Sequence, residues 1–261
     1  MIDCFDDTVR SKIDAAKRLW LFLDYDGTLA DFAPTPDDIF PDADLIELLT
    51  ALVRQPRLRV AVVSGRRLAH IQQLVPVPGI LLAGTYGLEM QHTDGTLVHR
   101  LPLDDVRPTV DAVKQRWAAA LGGHSGFFLE DKGWTLAIHA KDAEPETGPR
   151  VLAAAEQAAR LLLRDAPPDR FRLLGGDRFL ELGPTIAHKG ETVNHLLDAC
   201  AWPGALPVYL GDDDKDEEAF AEIVAAGGLA LVVAATPRPT LATCRLESPQ
   251  ATRRWLAMLV T

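Results

Sequence analysis

Short apolar runs that end in glycine or aspartate alternate with helical patterns along the first part of this chain. LWLFLDYD (19–26) precedes the helix-like DADLIELLTALVRQ (42–55), and LRVAVVSG (58–65) precedes RRLAHIQQLV (66–75). Apolar runs of this length are typical of strands that are buried on both faces. Strands that alternate with helices favour a parallel sheet covered by helices on both sides. We therefore predict a doubly wound α/β core that binds its ligand at the carboxyl ends of the strands.

The pattern changes near residue 104 and resumes after Pro184. Between these points a helical segment, two strand-like runs (GFFLEDK and WTLAIHAK), a second helical segment and a two-strand hairpin follow one another. This αββαββ order favours a small antiparallel sheet with helices on one face, inserted into the first domain as an α+β cap. We predict a core domain of 1–103 plus 184–261 and a cap domain of 104–183.

The composition is that of an ordinary globular protein, with 261 residues, 48% hydrophobic and 25% charged. A formal net charge of −10 argues against nucleic acid or an anionic membrane as the main partner. Cys4, Cys200 and Cys244 form neither a CxxC motif nor an even disulfide set, which favours a reducing compartment. Because no apolar stretch reaches signal-peptide or membrane-span length, we expect a cytoplasmic protein.

Two aspartates follow the first apolar run directly, in LFLDYDGTLADF (21–32). On an extended backbone Asp24 and Asp26 point the same way. Carboxylates are costly in a core unless they are paired, and two that share one spot need a proton or a metal between them. Gly27 lets the chain turn, and Thr28 adds a hydroxyl. A strand followed by an Asp-Gly turn explains the same letters, so this motif alone leaves both interpretations open.

A second acidic cluster, in PVYLGDDDKDEEAF (207–220), repeats this arrangement. If its strand neighbours the first one, the carboxylates of both clusters face each other and require a hard divalent cation. Mg²⁺ prefers oxygen ligands of this kind. We predict Asp212, the first polar residue after the strand, as a metal ligand. For Asp214, Glu217 and Glu218 we favour an acidic helix N-terminus, which suits the positive end of the helix dipole.

Hydroxyl, amide and ammonium donors also stand where strands end or helices begin. Ser64 offers its hydroxyl, and Gly65 and Arg66 offer backbone N–H groups at a helix start, which suits an anion. Lys189 begins another helical segment. Each feature alone is common in turns or on surfaces. Together with the two acidic clusters, in this order along the chain, they predict phosphate chemistry.

The combination resembles the four motifs of the haloacid dehalogenase superfamily of phosphohydrolases. The motifs are DYDGT (24–28), the strand that ends at Ser64, Lys189, and GDDDKD (211–216). Further segments resemble the trehalose-6-phosphate phosphatase family, which carries its cap between the second and third motifs. These segments are AGTYGLE (83–89), LEDKGWTLAIHAK (129–141), LELGPTIAHKG (180–190) and YLGDDDKDEEAF (209–220). The resemblance implies a haloacid dehalogenase-like core and Mg²⁺-dependent hydrolysis of a sugar phosphate, with trehalose 6-phosphate as the leading substrate.

The resemblance also implies catalytic roles for the acidic residues. Asp24 would be the nucleophile that forms an aspartyl-phosphate. Asp26 would protonate the leaving oxygen and then deprotonate the attacking water. Asp24 and Asp212 would be carboxylate ligands of Mg²⁺, with Asp213 in or next to the metal shell and Asp26 binding through its backbone carbonyl. Asp216 would orient the catalytic lysine or the metal waters.

The remaining implied residues hold the substrate. Lys189, Ser64, Gly65 and Thr28 would contact the phosphoryl group, with Lys189 counted among the catalytic residues. The residues implied to bind the sugar or to line the rim of its site are Arg66, Glu130, Lys132, His139 and Glu181. An ordinary explanation for Glu130 and Lys132 is a cross-strand surface pair.

Four positions depart from the family pattern. Lys215 stands where the family has threonine, Tyr86 where it has histidine, Lys141 where it has arginine, and His188 where it often has asparagine. All four fall near the implied sugar pocket or metal rim. The identity of the sugar is therefore more open than the phosphatase chemistry.

Other functions fit parts of the pattern. The nearest is a phosphatase for a different sugar phosphate, such as sucrose 6-phosphate or a glycosyl-phosphoglycerate, and a phosphomutase would use the same core. A receiver domain also clusters aspartates, but it would be about half as long. A protein that only binds sugar phosphate would be expected to lack Asp24 or Asp26. We expect a monomer with a small-molecule partner.

Overall fold

The computed structural model describes residues 2–32, 39–164, 170–176 and 178–260. The chain divides into two compact units, Met1–His99 with His188–Thr261, and Arg100–Ala187. The predicted core and cap, divided at 103 and 184, differ from these units by four residues at each boundary. Each unit contains one β-sheet.

The strands and helices are numbered along the chain. The strands are β1 Ile2–Asp3, β2 Arg18–Leu23, β3 Leu58–Val63, β4 Leu81–Gly84, β5 Glu89–Gln91, β6 Leu97–His99, β7 Phe128–Asp131, β8 Leu136–His139, β9 Phe171–Gly176, β10 Phe179–Pro184, β11 Ala205–Gly211, β12 Leu229–Val233 and β13 Cys244–Leu246. The helices are α1 Asp7–Ala15, α2 Ala43–Val53, α3 Leu68–Leu74, α4 Arg107–Leu121, α5 Thr147–Leu163, α6 Lys189–Ala199, α7 Asp216–Ala225 and α8 Pro249–Ala257. Among the described residues, none of these helices is both long and apolar enough to cross a bilayer.

The larger unit contains a nine-stranded sheet in the order β1-β13-β12-β11-β2-β3-β4-β5-β6. Neighbouring strands from β1 to β4 in this order are parallel, which confirms the predicted parallel core. The last two pairs, β4 with β5 and β5 with β6, are antiparallel. The chain reverses after β4 through Thr85 and Tyr86, whose φ angles of 49° and 54° lie in the left-handed region. The antiparallel edge was not predicted, because its strands have only three residues each.

Alternate residues of the central strand β2 enter two separate apolar layers. Leu19, Leu21 and Leu23 pack on the side covered by α1, α2, α3 and α8. Trp20 and Phe22 pack on the other side, against α6 and α7. A strand buried on both faces must be apolar at every position, which explains the uninterrupted run in the sequence. The charged side chains of these central strands therefore stand at or next to the strand ends.

The smaller unit has the predicted αββαββ order, with an antiparallel sheet arranged β7-β8-β10-β9. Leu136 and Ile138 of β8 are fully buried, as is Leu182 of β10. The indole Nε1 of Trp117 in α4 donates to the carbonyl of Ala155 in α5 at 2.9 Å, so a hydrogen bond links the two helices.

Four neighbouring parallel strands, β11, β2, β3 and β4, deliver their carboxyl ends to one edge of the larger sheet. Asp212 follows β11, Asp24 follows β2 and Ser64 follows β3, while Gly84 ends β4. The edge that a doubly wound sheet uses for ligands thus carries the residues that the sequence marked for phosphate chemistry.

The expectation that the cysteines form no disulfide set is wrong, because Cys4 and Cys244 are joined by a disulfide. The pairing of β1 with β13 brings them together, with Ile2 opposite Cys244, although they are 240 residues apart in sequence. Both are buried, and Cys200 is a free thiol. The cysteine content therefore does not support a reducing compartment.

Cys4→Ser and Cys244→Ser are each expected to lower the free energy of unfolding by about 2–4 kcal/mol, since the cross-link restricts the unfolded chain. Urea unfolding without reductant measures this loss. A reducing agent should destabilise the wild type and leave both variants unchanged, while Cys200→Ser should behave as the wild type does. Equal stability of the reduced and oxidised wild type would contradict the disulfide's role.

Candidate active site

The centre of the site is an ion pair between two buried side chains. Asp24 directly follows β2, and its backbone N–H donates to the carbonyl of Leu210 in β11 at 2.9 Å, which aligns the two strand ends. Lys189, the first residue of α6, donates from Nζ to Asp24 Oδ1 at 2.9 Å. Their side chains are only 4% and 6% exposed. The structure thus brings together the two residues that the sequence analysis predicted as nucleophile and catalytic lysine.

Asp216 organises this centre through all of its acceptor positions. Its Oδ1 accepts from Lys189 Nζ at 2.6 Å and from the Tyr209 hydroxyl at 2.7 Å. Its Oδ2 accepts from the backbone N–H groups of Asp212 at 3.0 Å and Asp213 at 3.1 Å. Asp216 therefore orients Lys189 and also fixes the backbone of the acidic loop. These are the contacts expected of the orienting residue that the resemblance implied.

The electrostatics of the cluster call for a further cation. Burial raises the pKa of Asp24 well above its ordinary value, and the neighbouring carboxylates add to the effect against the opposing charge of Lys189. Burial, with Asp216 and Asp213, raises the pKa of Asp212 to about 7. Burial alone would lower the pKa of Lys189, but the charges of Asp216 and Asp24 outweigh it and hold the pKa well above its ordinary value. One ammonium does not balance this set of acids.

The donor set fits a hard divalent cation. Carboxylate oxygens of Asp24, Asp212 and Asp216 lie within 4.8 Å of one another. Because both oxygens of Asp216 are engaged by two donors each, Asp24 and Asp212 are the better ligands. Asp213 is the more accessible neighbour, with its side chain 43% exposed and its Oδ1 3.8 Å from Lys189 Nζ. All of these donors are oxygens, the type that Mg²⁺ prefers.

Thr28 and Gly27 complete the acidic pocket from the loop after β2. The Thr28 hydroxyl is buried and lies 3.3 Å from Asp24 Oδ2 and 3.4 Å from Asp212 Oδ1, between the two candidate ligands. Gly27 has a φ of 76°, and a Cβ there would lie 2.2 Å from Asp212 Oδ2. Glycine is needed both for the left-handed backbone and for this close approach.

Asp26 has a different partner from Asp24. Arg66 forms a two-pronged ion pair with it, Nε to Oδ2 and Nη2 to Oδ1, each at 2.7 Å. The backbone N–H of Arg66 also donates to the hydroxyl of buried Ser64 at 3.1 Å. Arg66, which was predicted to contact the substrate, therefore binds Asp26, the predicted general acid and base. Arg66 itself lies on the same loop as Ser64 and Gly65.

A second polar cluster lies in the unit Arg100–Ala187. His139 Nε2 lies 2.8 Å from Glu130 Oε2. Lys132 Nζ donates to Glu181 Oε1 at 3.0 Å, as does the Thr135 hydroxyl at 3.0 Å. Glu130 and Glu181 both stand opposite Ala137 in the register of the sheet, so they share one face. All four cap residues predicted to bind substrate are brought together in this cluster.

Charge pairing dominates this cluster. Burial alone would lower the pKa of Lys132, but Glu181 and Glu130 outweigh it and raise the pKa. Burial alone would raise the pKa of Glu130, but the bond to His139 and the charge of Lys132 outweigh it and lower the pKa. Lys132 pairs mainly with buried Glu181 rather than with Glu130, at 3.0 Å against 3.7 Å. The structure therefore does not contain the simple surface pair of Glu130 and Lys132 that was the ordinary explanation of the sequence.

Two residues that the sequence did not mark support the acidic loop. Arg238 Nη2 donates to the carbonyls of Asp212 and Asp213, both at 3.1 Å, from the loop after β12. Tyr209 lies inside β11, and its hydroxyl bonds to Asp216. A tyrosine within a buried strand is a signal that could have been found, since its hydroxyl needs a partner. An arginine in a proline-containing loop has no such signal.

The sequence model of the family described as Trehalose-phosphatase matches residues 22–250. The chain belongs to the trehalose-phosphatase family. This confirms the resemblance inferred from the motifs.

Proteins named trehalose-phosphate phosphatase from Mycobacterium ulcerans and Mycobacterium tuberculosis are each 33% identical, over 88% and 90% of this chain. The chain spans only 58% and 59% of those proteins. A protein named probable trehalose-phosphate phosphatase C from Arabidopsis thaliana is 30% identical over 99% of this chain and 81% of its own length.

Solved structures share the fold of this trehalose-phosphatase family member. The trehalose-6-phosphate phosphatase of Aspergillus fumigatus has a TM-score of 0.73 at 23% identity, covering 100% of this chain and 99% of that one. The C-terminal domain of the C. albicans trehalose-6-phosphate phosphatase has a TM-score of 0.82 at 20% identity, covering 99% and 97%. The C-terminal domain of the Candida albicans trehalose synthase regulatory protein reaches 0.80 at 12% identity, covering 100% and 99%. At these identities the likeness confirms the predicted fold class.

The acidic pocket generates a pH-dependent prediction. Between its ordinary pKa of 3.8 and its folded value of about 7, Asp212 holds a proton in the folded protein that the unfolded chain has lost. Raising the pH through this window therefore favours unfolding of the metal-free protein. A cation that replaces the proton should stabilise the protein more at pH 7.5 than at pH 5. Unfolding temperatures in EDTA and in Mg²⁺ measure both effects.

Asp212→Asn should raise the unfolding temperature of the metal-free protein at pH 7.5 and weaken its response to Mg²⁺. Asp214→Asn is the matched control, because the Asp214 side chain is 99% exposed in the same loop, and it should keep the wild-type response. A wild-type protein that responds equally to Mg²⁺ at pH 5 and pH 7.5 would count against this account.

Proposed function

We propose that this protein is a Mg²⁺-dependent phosphatase that hydrolyses trehalose 6-phosphate to trehalose. The observation that carries the proposal is the buried pair of Asp24 and Lys189, 2.9 Å apart, at the strand ends of a trehalose-phosphatase family chain. Names of relatives support the substrate, but the chain spans under two thirds of the mycobacterial ones. The activity is therefore a proposal, and its support comes from the geometry of the site.

Asp24 is the nucleophile in this proposal. One of its oxygens attacks phosphorus, the bond to the sugar oxygen breaks, and an aspartyl-phosphate forms. Lys189 holds Asp24 in place and offsets charge on the phosphoryl oxygens. Asp24 and Asp212, the backbone carbonyl of Asp26 and the neighbouring Asp213 would hold Mg²⁺. When bound, the cation would reduce the repulsion between carboxylate and phosphate.

Asp26 supplies the proton steps. It gives a proton to the leaving sugar oxygen and later takes one from the water that attacks the aspartyl-phosphate, so its protonation state is restored after each cycle. The two bonds from Arg66 orient the ionised form of Asp26, which is the form that takes the proton from the attacking water. These bonds use two of the five guanidinium N–H donors, so Arg66 can contact the substrate through its remaining Nη donors while it keeps both bonds to Asp26.

The phosphoryl group would sit against the loop after β3. The Ser64 hydroxyl and the backbone N–H of Gly65 are the proposed donors there, with Lys189 opposite. Thr28 lies between Asp24 and Asp212, so we propose that it orients these carboxylates and contacts phosphate from the same position. Positioning of this kind provides most of the catalysis in phosphoryl transfer.

The polar cluster of the smaller unit would recognise the sugar. Glu130 and His139 are each about a quarter exposed, so we propose that they exchange hydrogen bonds with sugar hydroxyls. Lys132 and Glu181 are almost fully buried and bonded to each other. They would contribute by fixing the charges and positions of the cluster, and they would contact the substrate at their accessible edges.

The runner-up is a phosphatase for another sugar phosphate, such as sucrose 6-phosphate or a glycosyl-phosphoglycerate. The departures from the family pattern at Tyr86 and Lys141 favour it, and a phosphomutase is a more distant alternative. We also propose that the protein acts as a monomer in the cytoplasm, where charged sugar phosphates are retained. The Cys4–Cys244 disulfide is unusual for that compartment.

Phosphate release from a panel of sugar phosphates with Mg²⁺ tests this proposal. Trehalose 6-phosphate should be hydrolysed fastest, and chelation of the metal should abolish turnover. Asp24→Asn should reduce kcat by roughly 10³-fold or more, because a nucleophile has been removed. The matched control Asp214→Asn should stay within about twofold of the wild type.

Each outcome separates one part of the proposal from the rest. Faster hydrolysis of another sugar phosphate would overturn the substrate and keep the chemistry. Undiminished activity of Asp24→Asn would overturn the nucleophile. Absence of turnover on the whole panel would contradict the phosphatase function itself.

A further inference from the structure

Two of the positions that depart from the family pattern contact each other. Lys215 Nζ donates a hydrogen bond to the Tyr86 hydroxyl at 2.7 Å, and it lies 5.1 Å from the centre of the Tyr86 ring. The two residues are 129 positions apart in sequence, on the loops after β11 and β4. The sequence presents them as separate departures, and the fold makes them one pair.

Tyr86 is held rigidly beside the proposed phosphate loop. Its backbone N–H donates to the carbonyl of Ser64 at 2.9 Å, and its carbonyl accepts from the Thr192 hydroxyl at 2.6 Å. These bonds maintain a left-handed φ of 54°, which is unfavourable for an aromatic residue. The ring packs so closely on Gly65 that a Cβ there would lie 2.7 Å from Tyr86 Cζ. The phenol oxygen is therefore fixed next to the Gly65 backbone.

Lys215 spans the distance from the acidic loop to that phenol. Its backbone N–H donates to Asp213 Oδ1 at 2.9 Å. The Lys215 backbone is thus bonded to the acidic loop, while its ammonium bonds to the phenol that packs on Gly65. It stands between the loop proposed for the metal and the loop proposed for the phosphate.

Tyr86 is an uncharged partner of the Lys215 ammonium. It accepts a hydrogen bond and offers its ring face without carrying a negative charge. The hydrogen bond to Tyr86 therefore orients the Lys215 ammonium without placing a negative charge beside it. The threonine of the family pattern at position 215 could offer a hydroxyl but no charge.

We propose that Lys215 is a second cation for the phosphoryl group, and that Tyr86 positions it. This inference rests on the proposed function and deepens it, because it assigns phosphate binding to a position of the fourth motif at which this chain departs from the family pattern. Lys215 would form a charge-assisted hydrogen bond to a phosphoryl oxygen on the Gly65 side of the group, opposite Lys189. Part of the affinity for phosphorylated ligands would then come from a pair whose two residues both depart from the family pattern.

Binding of inorganic phosphate in the presence of Mg²⁺, measured by calorimetry, tests the proposal without requiring turnover. Lys215→Met keeps the length of the side chain and removes the charge, and it should weaken phosphate binding about tenfold. Lys215→Arg should recover most of the loss. Lys17→Met, a change of an exposed lysine elsewhere, should leave binding unchanged. Unchanged phosphate affinity in folded Lys215→Met would overturn the proposal.

Tyr86→Phe keeps the ring against Gly65 and removes only the hydroxyl. It should show a smaller loss of phosphate affinity, and it should add nothing when combined with Lys215→Met, because Tyr86 acts through the lysine. Equal and independent losses from the two changes would contradict the positioning role of Tyr86.

Kinetics on the best substrate of the panel distinguish phosphate from sugar binding. Lys215→Met should raise KM about tenfold, change kcat by less than about threefold, and raise the inhibition constant of inorganic phosphate by the same factor as KM. A rise in KM without a rise in that inhibition constant would assign Lys215 to the sugar and overturn the proposal. A wild type that binds phosphate but hydrolyses nothing would sink the proposed function and leave this inference standing.

Discussion

The arrangement at the strand ends depends on one buried ammonium, Lys189, shared by the carboxylates of Asp24 and Asp216. Any of these charges would be costly to bury alone, and removal of one partner leaves the others uncompensated. Tyr209 and two backbone N–H groups fill the remaining acceptor positions of Asp216. Because both oxygens of Asp216 already accept two hydrogen bonds each, Asp24 is the one of these two aspartates that remains suited to react.

The sheet explains why these charges can meet at all. Its central strands are buried on both faces by two apolar layers, so charged residues are tolerated only at or next to the strand ends. Four neighbouring parallel strands end at the same edge, and their loops supply the acids, the hydroxyl of Ser64 and the aromatic ring of Tyr86. The smaller unit has its own polar face, built around Glu130, His139, Lys132 and Glu181, on a separate antiparallel sheet.

Sequence reasoning succeeded where a physical pattern is local. The apolar runs predicted β2, β3 and β11, because a strand buried on both faces leaves an unbroken signature. Asp24, Lys189 and Asp212 could be marked because motif spacing and strand ends coincide. The short strands towards the two edges of the larger sheet, β1 and β13 on one side and β5 and β6 on the other, have two or three residues each, too few for any periodicity.

What escaped prediction consists of contacts between distant segments. The disulfide between Cys4 and Cys244, the clamp of Arg238 on the acidic loop, and the pair of Tyr86 and Lys215 each join parts of the chain that only the fold brings together. No local pattern marks such a contact before the strand order is known. The partner of Asp26 escaped for the same reason, since Arg66 lies on the neighbouring strand's loop.

The identity of the nucleophile is tested most directly by trapping the covalent intermediate. The wild-type protein is quenched in acid during turnover of trehalose 6-phosphate, and the acyl phosphate is reduced with borohydride. Peptide mass spectrometry then locates the product. The account predicts conversion of Asp24 into homoserine, in a yield that falls when the metal is chelated. Turnover with Asp24 fully unmodified, or homoserine formed at another aspartate, would contradict it.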